Sequence, residues 1–212
     1  MLRPLEAGLG ALPDLLGLSA PELEALLVAN SDWEAAPRDN ARPYPRGLPY
    51  FTRAANPSAL VIPEKLSDAI QPQTQAALPL VVNHELAHAF LAGKVAADTP
   101  AWLRELLPQT ASAAVARRQK LPLQDHLEQT QSPGFTIRGF RTPAGAREQM
   151  AFQNLLLKLG ADAMEEFGEE FLPRLVGALQ REEAVDEEEA EELLAAALGE
   201  GGRRWLASRR EF

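Results

Sequence analysis

The stretch His84-Glu85-Leu86-Ala87-His88 constrains this chain more than any other. On a helix of 3.6 residues per turn, His84 and His88 stack on one face, a single turn apart. Glu85 adjoins His84 and leans over whatever the two imidazoles hold. Two neutral imidazoles at that spacing suit a zinc ion, and the adjacent carboxylate suits a base acting on water that the ion holds. The flanking Leu80, Val81, Val82, Leu86, Ala87, Phe90 and Leu91 leave no side plainly solvated, so the spacing predicts a buried helix. It spans 78–94, with Pro79 in the first turn and Gly93 at the end. The bland alternative is a core helix with two incidental histidines. With only three histidines in 212 residues, a chance HExxH is rare, on the order of one in a hundred or less. Imidazoles on a buried face would also need polar partners there.

Composition narrows the remaining choices. The length of 212 residues fits one ordinary domain, or a small domain with an appended piece. A 46% hydrophobic and 24% charged chain can bury a core. The net charge of −9 argues against nucleic acid or an anionic membrane as the main partner. No cysteine is present, which excludes disulfides, thiolate ligands and a thiol nucleophile. Any zinc therefore relies on His and carboxylate ligands. Glu6 and Asp14 interrupt the first apolar stretch, a poor signal peptide, and no later run is apolar and long enough to span a bilayer. A soluble cytoplasmic protein is expected.

Taken in order, residues 1–17 suggest a short packed arm. Ser19-Ala20-Pro21-Glu22 reads as a capping box, which predicts a short helix over 20–29, and Ser31 to Glu34 repeats the signal more weakly. Pro37, Pro43 and Pro45 predict a linker or surface loop up to Gly47. Two short strands are expected at 50–55 and 59–63, joined by Asn56-Pro57-Ser58. Thr99 and Pro100 open a further helix that meets Pro108, where a kink or break is expected before helix resumes over 111–120. Residues 135–140 read as a strand or extended loop. Thr142-Pro143 starts a helix ending at Gly160. Helical stripes then run through Met164 to Leu179, with an interruption at Pro173, and from Asp186 to Leu198, and a final short helix carries Trp205 and Leu206. The acidic run before Leu193 reads as a solvated helix face rather than an interaction tail.

A catalytic zinc site needs a third protein ligand and one open position. Asp98, Glu105, Asp125 and His126 are the candidates beyond His88, and Glu105 is the preferred one. It lies on the helix after Thr99, beyond a loop long enough to fold that helix across the first. Asp98 stands where a helix start attracts an acid anyway. Gln109, one turn after Glu105, is placed to hold a ligating imidazole by a hydrogen bond.

HELAHAFL followed by TPAWLREL resembles the gluzincin metallopeptidases of the peptidase MA-like group, whose pattern is HExxH and then P-x-W-L-x-E-G-L-A. The resemblance runs on through KLPLQDHLEQ, FQNLLLKLGADAMEEF, LVGALQ and EEAEELLAAALG, covering roughly residues 50–205. It implies His84, His88 and Glu105 as zinc ligands and Glu85 as general base. Leu106, Pro108 and Gln109 depart from the pattern, and no tyrosine follows Tyr50. Tyr50, His126, Arg138 and Arg141 are then the remaining oxyanion donors, with Tyr50 and His126 preferred.

The expected fold is α+β and mainly helical, zincin-like, with a small antiparallel sheet before the HExxH helix and a helical C-terminal half. Residues 1–45 would form a helical arm and linker. Residues 46–212 would form the metallopeptidase domain, its upper part 46–93 and its lower part 94–212. The expected activity is zinc-dependent hydrolysis of peptide bonds in a peptide or protein substrate, through water activated by Glu85. The resemblance also implies that the strand at 59–63 pairs with an extended substrate. The alternative is a non-catalytic zincin-like protein that binds metal and a partner.

Overall fold

A computed structural model describes residues 2–39, 46–66, 74–129, 134–140 and 145–212. It is mainly helical with one small sheet. The elements are α1 (Leu2–Leu16), β1 (Leu23–Val28), a 3-10 helix (Asn30–Ala35), β2 (Tyr50–Thr52), β3 (Ser58–Pro63), α2 (Ala77–Leu91), α3 (Ala101–Arg118), α4 (Leu123–Glu128), α5 (Ala146–Phe167), α6 (Phe171–Leu179), α7 (Glu187–Leu198) and α8 (Gly202–Ala207). No helix among the described residues is long and apolar enough to cross a membrane.

The sheet is mixed, in the order β1-β3-β2, with β2 antiparallel and β1 parallel to β3. This corrects two expectations, a purely antiparallel sheet and a helix over 20–29. The segment Leu23–Val28 has helix-compatible composition, but β3 offers its backbone an edge, and tertiary pairing overrides local propensity. Side-chain alternation explains the arrangement. Leu60 and Ile62 face the main helical core, whereas Ala59 and Val61 join Trp33, Ala36 and Tyr50 in a second, smaller core. With both faces and both edges covered, β3 is the centre of the sheet. Leu26 and Val28 pack on the smaller core, and Leu27 on the other face is 66% exposed.

Within the expected arm, α1 buries Leu5, Leu12, Leu15 and Leu16 in the main core and packs on α2 and α3, while β1 extends the sheet. Helix α3 lies between α2 and α5 and runs unbroken through Pro108. Proline there removes one donor, the partner of the Arg104 carbonyl. Burial of Leu106, Leu107, Pro108 and most residues to Ala116 holds the helix together across that gap, so the expected break does not occur. Trp102 fixes the start of α3, donating from Nε1 to Glu187 Oε2 at 2.7 Å and meeting Phe212 edge-on.

Helix α5 also passes an expected stop, continuing through Gly160 and ending at Gly168, where φ is 77°. Gly160 is there for packing: a Cβ would collide with the side chain of the buried Thr110 on α3. The expected strand or extended loop at 135–140 is a set of bends and turns, pinned by Ile137 N–H donating to the Glu211 carbonyl at 2.7 Å. Asp186 caps α7 by accepting from the N–H groups of Glu188 and Glu189, and the acidic first turn suits the helix dipole. Pro43, Pro45, Arg141 and the Thr142-Pro143 helix start lie outside the described residues.

Candidate metal centre

Two helices bring three ligand-type atoms to one point. Helix α2 presents His84 and His88 one turn apart, and α3 crosses it to present Glu105. His84 Nε2 and His88 Nε2 are 3.0 Å apart, and Glu105 Oε2 lies 3.4 Å from the first and 3.5 Å from the second. Among the described residues, this is the one group of three such side chains that can hold a metal ion. Two neutral imidazoles that point their lone pairs at each other repel unless a cation or proton stands between them. A tetrahedral zinc ion with bonds of about 2.0–2.1 Å separates its donors by about 3.3–3.4 Å, so the set fits zinc. Asp98 and Asp125, the other acidic candidates, are not in the group.

Burial pushes the Glu105 carboxyl upward, but His88 and His84 outweigh it and hold the group well below the usual carboxylate range. The carboxylate is therefore in the ionised form that a metal requires. A further brace comes from α5, where Gln153 Nε2 donates to Glu105 Oε2 at 2.9 Å. Gln109 Nε2 in turn donates to Gln153 Oε1 at 2.6 Å. Gln109 thus supports the Glu105 carboxylate through Gln153, not an imidazole as its position one turn from Glu105 suggested. Gln153 was missed because it lies 48 residues from Glu105. Its visible signal is a polar pair at helical spacing, Gln149 and Gln153.

Glu85 leans toward the imidazoles and the sheet at once. Its Oε1 is 4.0 Å from His84 Nε2, and its Oε2 accepts the Phe51 backbone N–H at 3.0 Å. In an antiparallel pair successive residues turn their N–H groups to opposite sides, so Tyr50 and Thr52 face β3 while Phe51 faces outward. The strand edge beside the metal centre therefore belongs to β2. This corrects the assignment of a substrate-pairing role to residues 59–63, since β3 is flanked on both sides.

These groups line a cavity of about 990 Å³, bounded by β2, α2, α3 and α5. Tyr50 and His126 line it as well. The Tyr50 hydroxyl donates to the Pro37 carbonyl at 3.0 Å, and its ring packs edge-on against Trp33. That hydrogen is engaged away from the ligands. His126 is 4% exposed, its Nδ1 hydrogen-bonded to Thr74 Oγ1 at 2.7 Å, and burial lowers its pKa to about 4. It is a neutral imidazole at physiological pH. Arg138 pairs with Glu191 and lies over the Phe212 ring, outside the cavity lining. Arg141 lies outside the described residues.

The chain matches no protein-family model, no curated protein and no solved structure.

Proposed function

We propose that the protein is a zinc-dependent metallopeptidase. One observation carries this reading: His84 Nε2, His88 Nε2 and Glu105 Oε2 converge within 3.0–3.5 Å of one another, beside a Glu85 carboxylate, in a cavity bordered by the outward edge of β2. His84, His88 and Glu105 are the residues that would hold the ion, leaving one tetrahedral position open. When bound, zinc supplies Lewis acidity, which acidifies water and polarises a carbonyl.

The chain's own groups do the rest. Glu85 takes a proton from the attacking water and returns it to the departing amine, a step worth about 10²–10⁴ in rate. Gln153 fixes the carboxylate of Glu105, and Phe51 fixes that of Glu85. The outward edge of β2 is suited to an extended peptide, which would add a strand next to Glu85. The mixed sheet before the HExxH helix and the helical half after it are compatible with a zincin-like fold. The competing reading, a metal site that only supports folding or partner binding, draws on the fact that Phe51 already engages Glu85.

The test is metal content followed by hydrolysis. Protein purified without added zinc is expected to carry one zinc per chain, and His84→Ala to carry none. The zinc-loaded wild type is expected to cleave an unfolded protein substrate. A zinc-loaded protein that cleaves neither an unfolded protein nor any member of a peptide library contradicts the proposal.

A further inference from the structure

Arg104 precedes the ligand Glu105 and lines the same cavity. It is a guanidinium, charged at any working pH, with five donors in a fixed fork. Its Nε is buried and has no hydrogen-bond partner among the described residues. It forms no ion pair among the described residues. The neighbouring Glu105 carboxylate faces the two imidazoles instead. Arg104 is also the fourth residue of α3, at the end of the helix where the dipole favours an anion and disfavours a cation.

Each of these features costs stability, and no hydrogen bond or ion pair among the described residues compensates for them. A neutral side chain of similar length would cover the same surface without that cost. A carboxylate held in the cavity would supply what is missing, since a guanidinium pairs with it through two parallel N–H···O bonds. We infer that Arg104 is a specificity-determining residue that selects peptides carrying a carboxylate near the bond presented to the metal centre. This rests on the proposal that the cavity receives a peptide. Two sources share the chemistry, an acidic side chain and a free C-terminus.

The test uses full-length, zinc-loaded Glu85→Gln protein, so that retention is read without turnover. It is challenged with N-acetylated hexapeptide libraries of four kinds: ending in a free carboxylate, ending in an amide, amidated with one fixed Glu, and amidated with Gln at the same position. Retained peptides are quantified by mass spectrometry. An acid preference of about 10–100-fold over the matched amide or Gln peptide is expected, as for a hydrogen-bonded charge pair. The first two libraries report a C-terminal source and the last two an acidic side chain. Adding Arg104→Gln is expected to abolish the preference, and Arg104→Lys to retain part of it, which separates lost charge from misfolding. No retention, equal retention of acid and neutral peptides, or a preference that survives Arg104→Gln overturns the inference. Hydrolysis by wild type is read separately. Hydrolysis without acid preference leaves the peptidase reading standing and removes the role of Arg104, whereas acid retention without hydrolysis does the reverse.

Discussion

Gln153, on α5, donates its side-chain amide to the same Glu105 oxygen that faces both imidazoles, at 2.9 Å. The proposed metal centre is therefore braced from three helices, although only two of them carry the proposed ligands. Replacing Gln153 with Ala removes the donor and frees the Glu105 carboxylate to rotate. Zinc affinity is expected to fall about 10–100-fold, as for other groups that orient ligands. Competition with a chromogenic chelator measures it, alongside the melting temperature of the metal-free protein. Unchanged affinity would mean that the carboxylate is positioned without Gln153.

Gly160 and Gly177 are both helical glycines, yet substitution is expected to act in opposite directions. At Gly160 a new Cβ meets the side chain and backbone of buried Thr110, which costs about 1–3 kcal/mol by overpacking. At Gly177 a Cβ meets nothing within 4 Å, so Gly177→Ala gains helix propensity of about 0.5–1 kcal/mol. Denaturant unfolding of the two Ala variants reads the difference. A stabilising Gly160→Ala would contradict the close crossing of α3 and α5.

His126 gives a pH dependence of defined sign. Its folded-state pKa of about 4 lies below the ordinary 6.5, so the unfolded chain binds the proton first as pH falls. The stability is whole above about pH 6.5 and is lost as pH falls towards about 4. Up to about 3 kcal/mol is at stake, at 1.36 kcal/mol per pKa unit. Wild type is expected to lose more stability between pH 7 and pH 4.5 than His126→Gln does. Equal losses would contradict a buried neutral imidazole at this position.

The parts of the structure that depend on near neighbours were legible in the sequence. His84, Glu85 and His88 take their relation from helical spacing, and Glu105 from a helix that starts soon after the loop. What depended on distant partners was not. Leu23–Val28 has the residues of a helix and lies next to a capping box, and only β3, some 35 residues on, makes it a strand. Gly160 looked like a helix stop because Thr110 was not visible beside it. Phe51 engages Glu85 through its backbone, which no side-chain pattern reports. Gln153 and Arg104 gain their roles only from the cavity that they line, which no sequence pattern reports.

Glu85→Gln examines the proposed chemistry most directly, because it removes the proton acceptor while keeping the side chain's shape. The amide keeps the size of the side chain, and its oxygen can still accept the Phe51 N–H, but it cannot take up a proton near neutral pH. Glu85 is outside the proposed ligand set, so one zinc per chain is expected to remain, and the fold with it. The decisive measurement is the hydrolysis rate of an unfolded protein by wild type and Glu85→Gln at equal, verified zinc content. A fall of about 10²–10⁴ with zinc retained is the expected result. Hydrolysis by Glu85→Gln as fast as by wild type would contradict the role of Glu85 as general base.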